Sequence, residues 1–99
     1  MITAANFRSH QRNSLQGFLD LHLDSGLTIH DCVWHKRADG REWIGFPGRP
    51  QTKKDGTQRK DANGKPLWSS FLEIKDKRRN EQFQKAALDA VHRLVNGGA

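Results

Sequence analysis

With 99 residues the chain has room for one small domain, which excludes a catalytic domain joined to a regulatory one. Apolar residues make up 34%, enough for one thin core, and no apolar run approaches the ~20 residues of a membrane-spanning helix. Lys and Arg number 17 against 11 Asp and Glu, and the resulting charge of +6 makes a polyanion the leading partner class.

Residues 1–12 (MITAANFRSHQR) show no period and carry polar and basic groups, which predicts a mobile N-terminal arm ahead of a domain spanning residues 13–96. They contain no apolar stretch of signal-peptide type, so a cytoplasmic protein is expected. Cys32 is the lone cysteine, which excludes an internal disulfide and fits a reducing compartment.

From Leu15 the pattern alternates. Leu15, Gly17, Leu19, Leu21 and Leu23 fall on one side, and Gln16, Phe18, Asp20 and His22 on the other, as in a half-buried strand. Asp24-Ser25-Gly26 supplies a turn before a second alternating run through Leu27, Ile29 and Val33. Ala38-Asp39-Gly40 marks another turn, and Glu42 to Phe46 is short, aromatic and β-prone until Pro47 and Pro50 end it. Residues 48–65 hold two turn dipeptides, Asp55-Gly56 and Asn63-Gly64, and few apolar groups, so they predict a basic loop or projecting hairpin arm.

Leu67 to Ile74 (LWSSFLEI) reads as a fourth strand, with Trp68 on the core side by parity. Asp76 is a candidate N-cap, after which Phe83, Ala87, Ala90 or Val91, and Leu94 recur at helical spacing, while Gln82, Lys85, Asp89 and Arg93 face away. Gly97-Gly98 is the predicted stop.

The expected fold is therefore α+β: a four-stranded antiparallel meander, β-β-β-β-α, with the C-terminal helix packed on one face. The aliphatic set Leu19, Leu21, Leu23, Leu27, Ile29, Val33, Ile44, Leu72 and Ile74 is expected beneath that helix. One sheet face stays open, and a domain this small gains from pairing with a second copy, so a homodimer is expected.

Between Arg49 and Arg79 ten Lys or Arg stand against four acids, a surplus equal to the entire net charge. Such a block attracts nucleic-acid phosphates by releasing their counterions, without reading sequence. A solvated charged loop is the bland alternative. Arg49, Lys53, Lys54, Arg59, Lys60 and Lys65 are the candidate phosphate contacts. Phe18, Trp34, Trp43 and Phe71 fall on the non-leucine face if the alternation holds, where rings beside cations form a stacking platform for unpaired bases. The same rings would serve equally as a dimer core.

His30 and Cys32, two apart on one strand, with His22 across the hairpin, are the residues worth testing for zinc, but they lack a standard ligand spacing and a fourth donor. No nucleophile elbow, triad order or phosphate loop is present, so no catalytic residue, cofactor, metal or small-molecule substrate is expected.

The run LHLDSGLTIHDC, with His30-Asp31 in its second strand, followed by Gly40 and an aromatic strand ending at Phe46-Pro47, resembles the SpoVG family of bacterial nucleic-acid-binding regulators over roughly Leu19 to Arg59. That resemblance implies a small β-rich dimer that binds DNA or RNA, with Arg49, Lys53, Lys54 and Arg59 at the contacts. In topology and charge placement the chain is also similar to the PC4-like single-strand-binding fold. Both imply a nucleic-acid partner, single-stranded DNA or RNA, in transcription regulation; the chain also resembles short products of phages and mobile elements, which implies a replication or recombination accessory role. A protein–protein adaptor with no nucleic-acid role is the alternative.

Overall fold

The computed structural model describes residues 1–97. Its strands are β1 (Thr3–Arg12), β2 (Leu15–His22), β3 (Thr28–Lys36), β4 (Glu42–Gly45), β5 (Gly48–Pro50) and β6 (Trp68–Ser70), followed by one helix, α1 (Lys77–Asn96). The first four form an antiparallel sheet in the order β1-β2-β3-β4, and β5 pairs with β6 in a separate two-stranded sheet. The α+β architecture, four antiparallel strands and a C-terminal helix, is as the sequence predicts; the identity of the strands is not.

Residues 3–12 are an edge strand rather than a mobile arm. Thr3 pairs with His22, Arg8 with Phe18 and Arg12 with Leu15. Alternation fails there because Asn6 adopts a left-handed conformation (φ 55°) within a register shift between Ala5 and Arg8. Phe7 consequently turns onto the core face and meets Trp34 edge-on at 6.0 Å. Its ring crosses Gly17 so closely that a Cβ there would lie 2.7 Å from it, which only glycine tolerates.

The LWSSFLEI segment departs in the other direction. Three of its residues pair, and they pair with β5, away from the main sheet. Trp68 is 61% exposed and Leu72 is exposed, so neither enters the core. Leu27 is exposed at the β2–β3 turn.

Helix α1 follows the expected pattern. Asp76 caps it by accepting a hydrogen bond from Arg79 N at 3.0 Å, and Gly97 follows its last residue; Gly98 lies outside the described residues. Ala87, Ala90 and Val91 are its buried residues, and Ala87 and Val91 join Leu19, Leu21, Ile29, Cys32, Trp34 and Ile44 in the core. Phe83 lies beside Phe46, with 5.2 Å between ring centres. The helix also closes the outer edge of β4: Gln84 accepts from Ile44 N–H and donates to Ile44 C=O, both at 2.8 Å. That side chain satisfies an otherwise open edge in place of another strand.

A second bulge decides which side chains reach the opposite face. Leu19 pairs with Cys32 but Leu21 with Ile29, so β3 carries an extra residue, and Asp31 takes φ 59° to absorb it. Past that point the parity of β3 is inverted. Trp34 points under the helix and Val33 to the open side, the reverse of the expected assignment.

A candidate nucleic-acid interface on the open sheet face

The open face of the main sheet and the short β5–β6 sheet enclose a cleft of about 630 Å³. Phe18 and Val33, a cross-strand pair, form its floor, while Trp68 and Phe71 form part of its wall. Phe71 is 64% exposed, so with Trp68 it leaves two large aromatic rings open to water. Beside the cleft Trp43 stacks on His35 with ring centres 4.9 Å apart and planes 10° from parallel. Burial holds the His35 imidazole below the ordinary histidine pKa, so at neutral pH it is an uncharged ring bonded to Ser14 Oγ.

Of the four aromatic residues expected on this face, Phe18, Trp43 and Phe71 lie outside the helix-covered core. Trp34 does not join them. It is 8% exposed, its indole N–H donates to Glu42 at 2.8 Å, and Phe7 and His92 flank its ring. Burial raises the Glu42 pKa, but the hydrogen bonds from His92 and Trp34 outweigh it and hold the carboxyl below its usual value. Trp34 is thus a core residue, and Trp68 is the aromatic that sequence parity missed.

The arm between β5 and β6 is built rather than loose. Isolated bridges Thr52–Gln58 and Lys60–Pro66 make two small hairpins, with Gly56 and Gly64 at positive φ in their turns. Three backbone hydrogen bonds close a ring at their base: Gln51 N to Leu67 O, Leu67 N to Arg59 O, and Arg59 N to Gln51 O, at 2.8–2.9 Å. Both arm acids are consumed locally. Asp55 accepts from the backbone and hydroxyl of Thr57, and Asp61 accepts from the backbone of Asn63 and Lys65.

The arm cations are not so occupied. Among the described residues no ion pair involves Arg49, Lys53, Lys54, Arg59, Lys60 or Lys65. Arg49 and Arg59 line one groove of about 600 Å³ with Gln51 and Ser69. Lys53 and Lys54 sit in the first hairpin turn, and Lys60 and Lys65 flank the second. The structure therefore unites Arg49 with Arg59 and distributes the four lysines over the two hairpins.

β1 adds positive residues that the sequence pattern places in an arm. Arg8 is paired with Phe18 and so shares its face, and His10 lies against Phe18 with ring centres 5.9 Å apart. Arg12 is paired with Leu15, which also lines the cleft.

Between these groups lies a polar hub centred on Asp20. Asp20, 4% exposed, accepts from Asn6 Nδ2 at 2.8 Å and from Asp31 N–H at 3.1 Å, with His30 Nδ1 3.2 Å away. It ties together the two bulges on either side of β2. The Asn6 hydrogen bond is the largest influence on its pKa; burial opposes it, the Asp31 and His30 bonds add to it, and the value falls to about 2.

The same bulge dismantles the zinc geometry considered from sequence. His30 and Cys32 end on opposite faces, His30 at Asp20 and Cys32 fully buried, while His22 bonds Thr28. Burial, reinforced by Asp20 and Asp31, pushes the Cys32 thiol up to about 12, which leaves it unreactive at neutral pH. Among the described residues no three His, Cys, Asp or Glu side chains are grouped to hold a metal, and no helix is long and apolar enough to cross a membrane. Comparison with family models, curated proteins and solved structures finds no match to the chain.

Proposed function

We propose that this chain binds single-stranded DNA or RNA, without catalysing a reaction, by seating bases in the open-face cleft and phosphates on the arm. One observation carries this: Arg49 and Trp68 stand on adjacent pairs of the same two-stranded ribbon, so an unpaired cationic groove occupies one face of that ribbon and an exposed aromatic wall the other, and a strand passing over its edge meets both. A polyanion with accessible ring faces is the ligand that satisfies both, since each stacked base is worth about 1–3 kcal/mol and each neutralised phosphate releases counterion. A duplex hides its base faces in the stack, so unpaired strands are preferred.

A homodimer remains part of the proposal. Gln84 closes the outer edge of β4 at Ile44, whereas β1 is the opposite end of the sheet and offers its edge to a second copy. Pairing there would leave the cleft free.

The test is a fluorescence titration with single-stranded and duplex oligonucleotides at two salt concentrations. Tryptophan quenching by single strands is expected, weakening at higher salt and greatly reduced in a Trp68→Ala variant. If no oligonucleotide changes the signal or the mobility of the protein, the aromatic cleft serves a protein partner and the adaptor reading replaces this one.

A further inference from the structure

A cleft that holds nucleic acid should contain few carboxylates, because phosphates repel them. Asp31 lines this one, in company with Phe18, Trp68 and Phe71. Its placement is closely held. The bulge puts its backbone at φ 59°, Asp20 accepts its N–H, and Arg8 grips carboxylate oxygen Oδ1 at 2.8 Å while also donating to the Asn6 carbonyl at 2.7 Å. The side chain is nevertheless 71% exposed, and among the described residues no hydrogen bond reaches Oδ2.

Asp20 and Asp31 both lie beside the Arg8 guanidinium, which is thereby occupied by carboxylates, while the arginines of the groove on the other face of the β5–β6 ribbon stay unpaired and favour phosphate. A strand whose phosphates reach that groove over the edge of the ribbon turns its bases into the cleft, toward Asp31. An ionised carboxylate only accepts hydrogen bonds, with about four lone-pair sites on two oxygens. Guanine meets it with two neighbouring donors, N1–H and the exocyclic amine. Thymine and uracil offer one N–H flanked by two carbonyls, which the carboxylate repels. Adenine and cytosine offer an amine beside a ring acceptor.

Building on the single-strand reading above, we infer that Asp31 is a base-reading residue that makes the cleft selective for guanine within an unpaired strand. Arg8 is its positioning residue: it fixes the carboxylate rather than contacting the base.

The experiment compares wild-type binding to three short oligonucleotides of otherwise identical thymidine sequence, carrying isolated guanines, inosines or no purine. Guanine is expected to bind about fivefold or more tightly than thymine, a difference of the size one bidentate base contact supplies. Inosine, which lacks the amine, falls between. Asp31→Asn keeps a residue type that accepts left-handed backbone and offers both donor and acceptor, so the guanine-to-thymine ratio should fall to near one or invert. Its thermal melt reports whether the fold is retained. Arg8→Gln keeps the carboxylate but loosens it, and should lower the ratio less.

If Asp31→Asn raises affinity for every oligonucleotide equally, the carboxylate merely repels phosphate and the inference fails while the single-strand reading stands. An unchanged ratio, or a wild type indifferent to base, overturns it likewise. Absence of binding by any oligonucleotide overturns both.

Discussion

The two faces of the main sheet are made by the same strands, yet one is filled by α1 and the other is left with rings and charges. On the helix side Leu19, Leu21, Cys32 and Val91 are completely buried, and burying such aliphatics is the chief gain in folding. On the open side Phe18 and Val33 lie at the floor of a cleft whose wall exposes Trp68 and Phe71 to water. Stability is concentrated on one face, while the other keeps apolar surface open to water. The left-handed residues Asn6 and Asp31 divide the side chains between them.

Substitutions on the two faces should therefore separate stability from binding. Leu21→Ala, at a fully buried site, is expected to cost about 2–5 kcal/mol of unfolding free energy in denaturant titration, with oligonucleotide affinity retained by whatever fraction stays folded. The combined replacement of Lys53, Lys54, Arg59 and Lys60 by glutamine should do the reverse. Unfolding is unchanged, while the slope of log affinity against log salt flattens by roughly 0.7 for each phosphate no longer neutralised. A stable variant with an unaltered slope would remove the arm from the interface.

Asp20 links the faces, and acid sharpens its role. Its folded pKa of about 2 lies below the unperturbed 3.8, so its contribution is complete above the unfolded value and disappears as pH falls through the folded one. Unfolding measured from pH 5 down to pH 2 should show a loss of roughly 2 kcal/mol assignable to this group. In Asp20→Asn that part of the acid dependence is absent. Trp68→Ala is expected to weaken oligonucleotide binding by about 1–3 kcal/mol with little change in melting temperature, because its ring is exposed and supports no core.

Much of this division is legible in the sequence where one period runs uninterrupted. The helical spacing of Phe83, Ala87 and Val91 marks the core-facing stripe of α1, in which Ala87 and Val91 are buried, and the leucines at 19 and 21 mark the core face of β2. Legibility ends at the bulges. One extra residue at Asp31 exchanges the destinations of Val33 and Trp34, and strict alternation has no means of placing it. β1 is hidden from pattern because Asn6 breaks its period and its open-face residues Arg8, His10 and Arg12 resemble those of a solvated tail. The apolar residues of LWSSFLEI read as core, whereas Trp68 and Phe71 line the cleft from a second sheet. The arm is recognisable by composition, since Asp55-Gly56 and Asn63-Gly64 name its turns, but the backbone ring at its base involves pairings too distant for local pattern.

The three tryptophans sample both faces, which makes their indole N–H resonances the most direct probe of the central claim. Addition of a single-stranded oligonucleotide at low salt should shift the Trp68 and Trp43 signals and leave that of Trp34, bonded to Glu42 beneath the helix, in place. Movement of Trp34 alone, or of none of the three at saturating ligand, would contradict an open-face site.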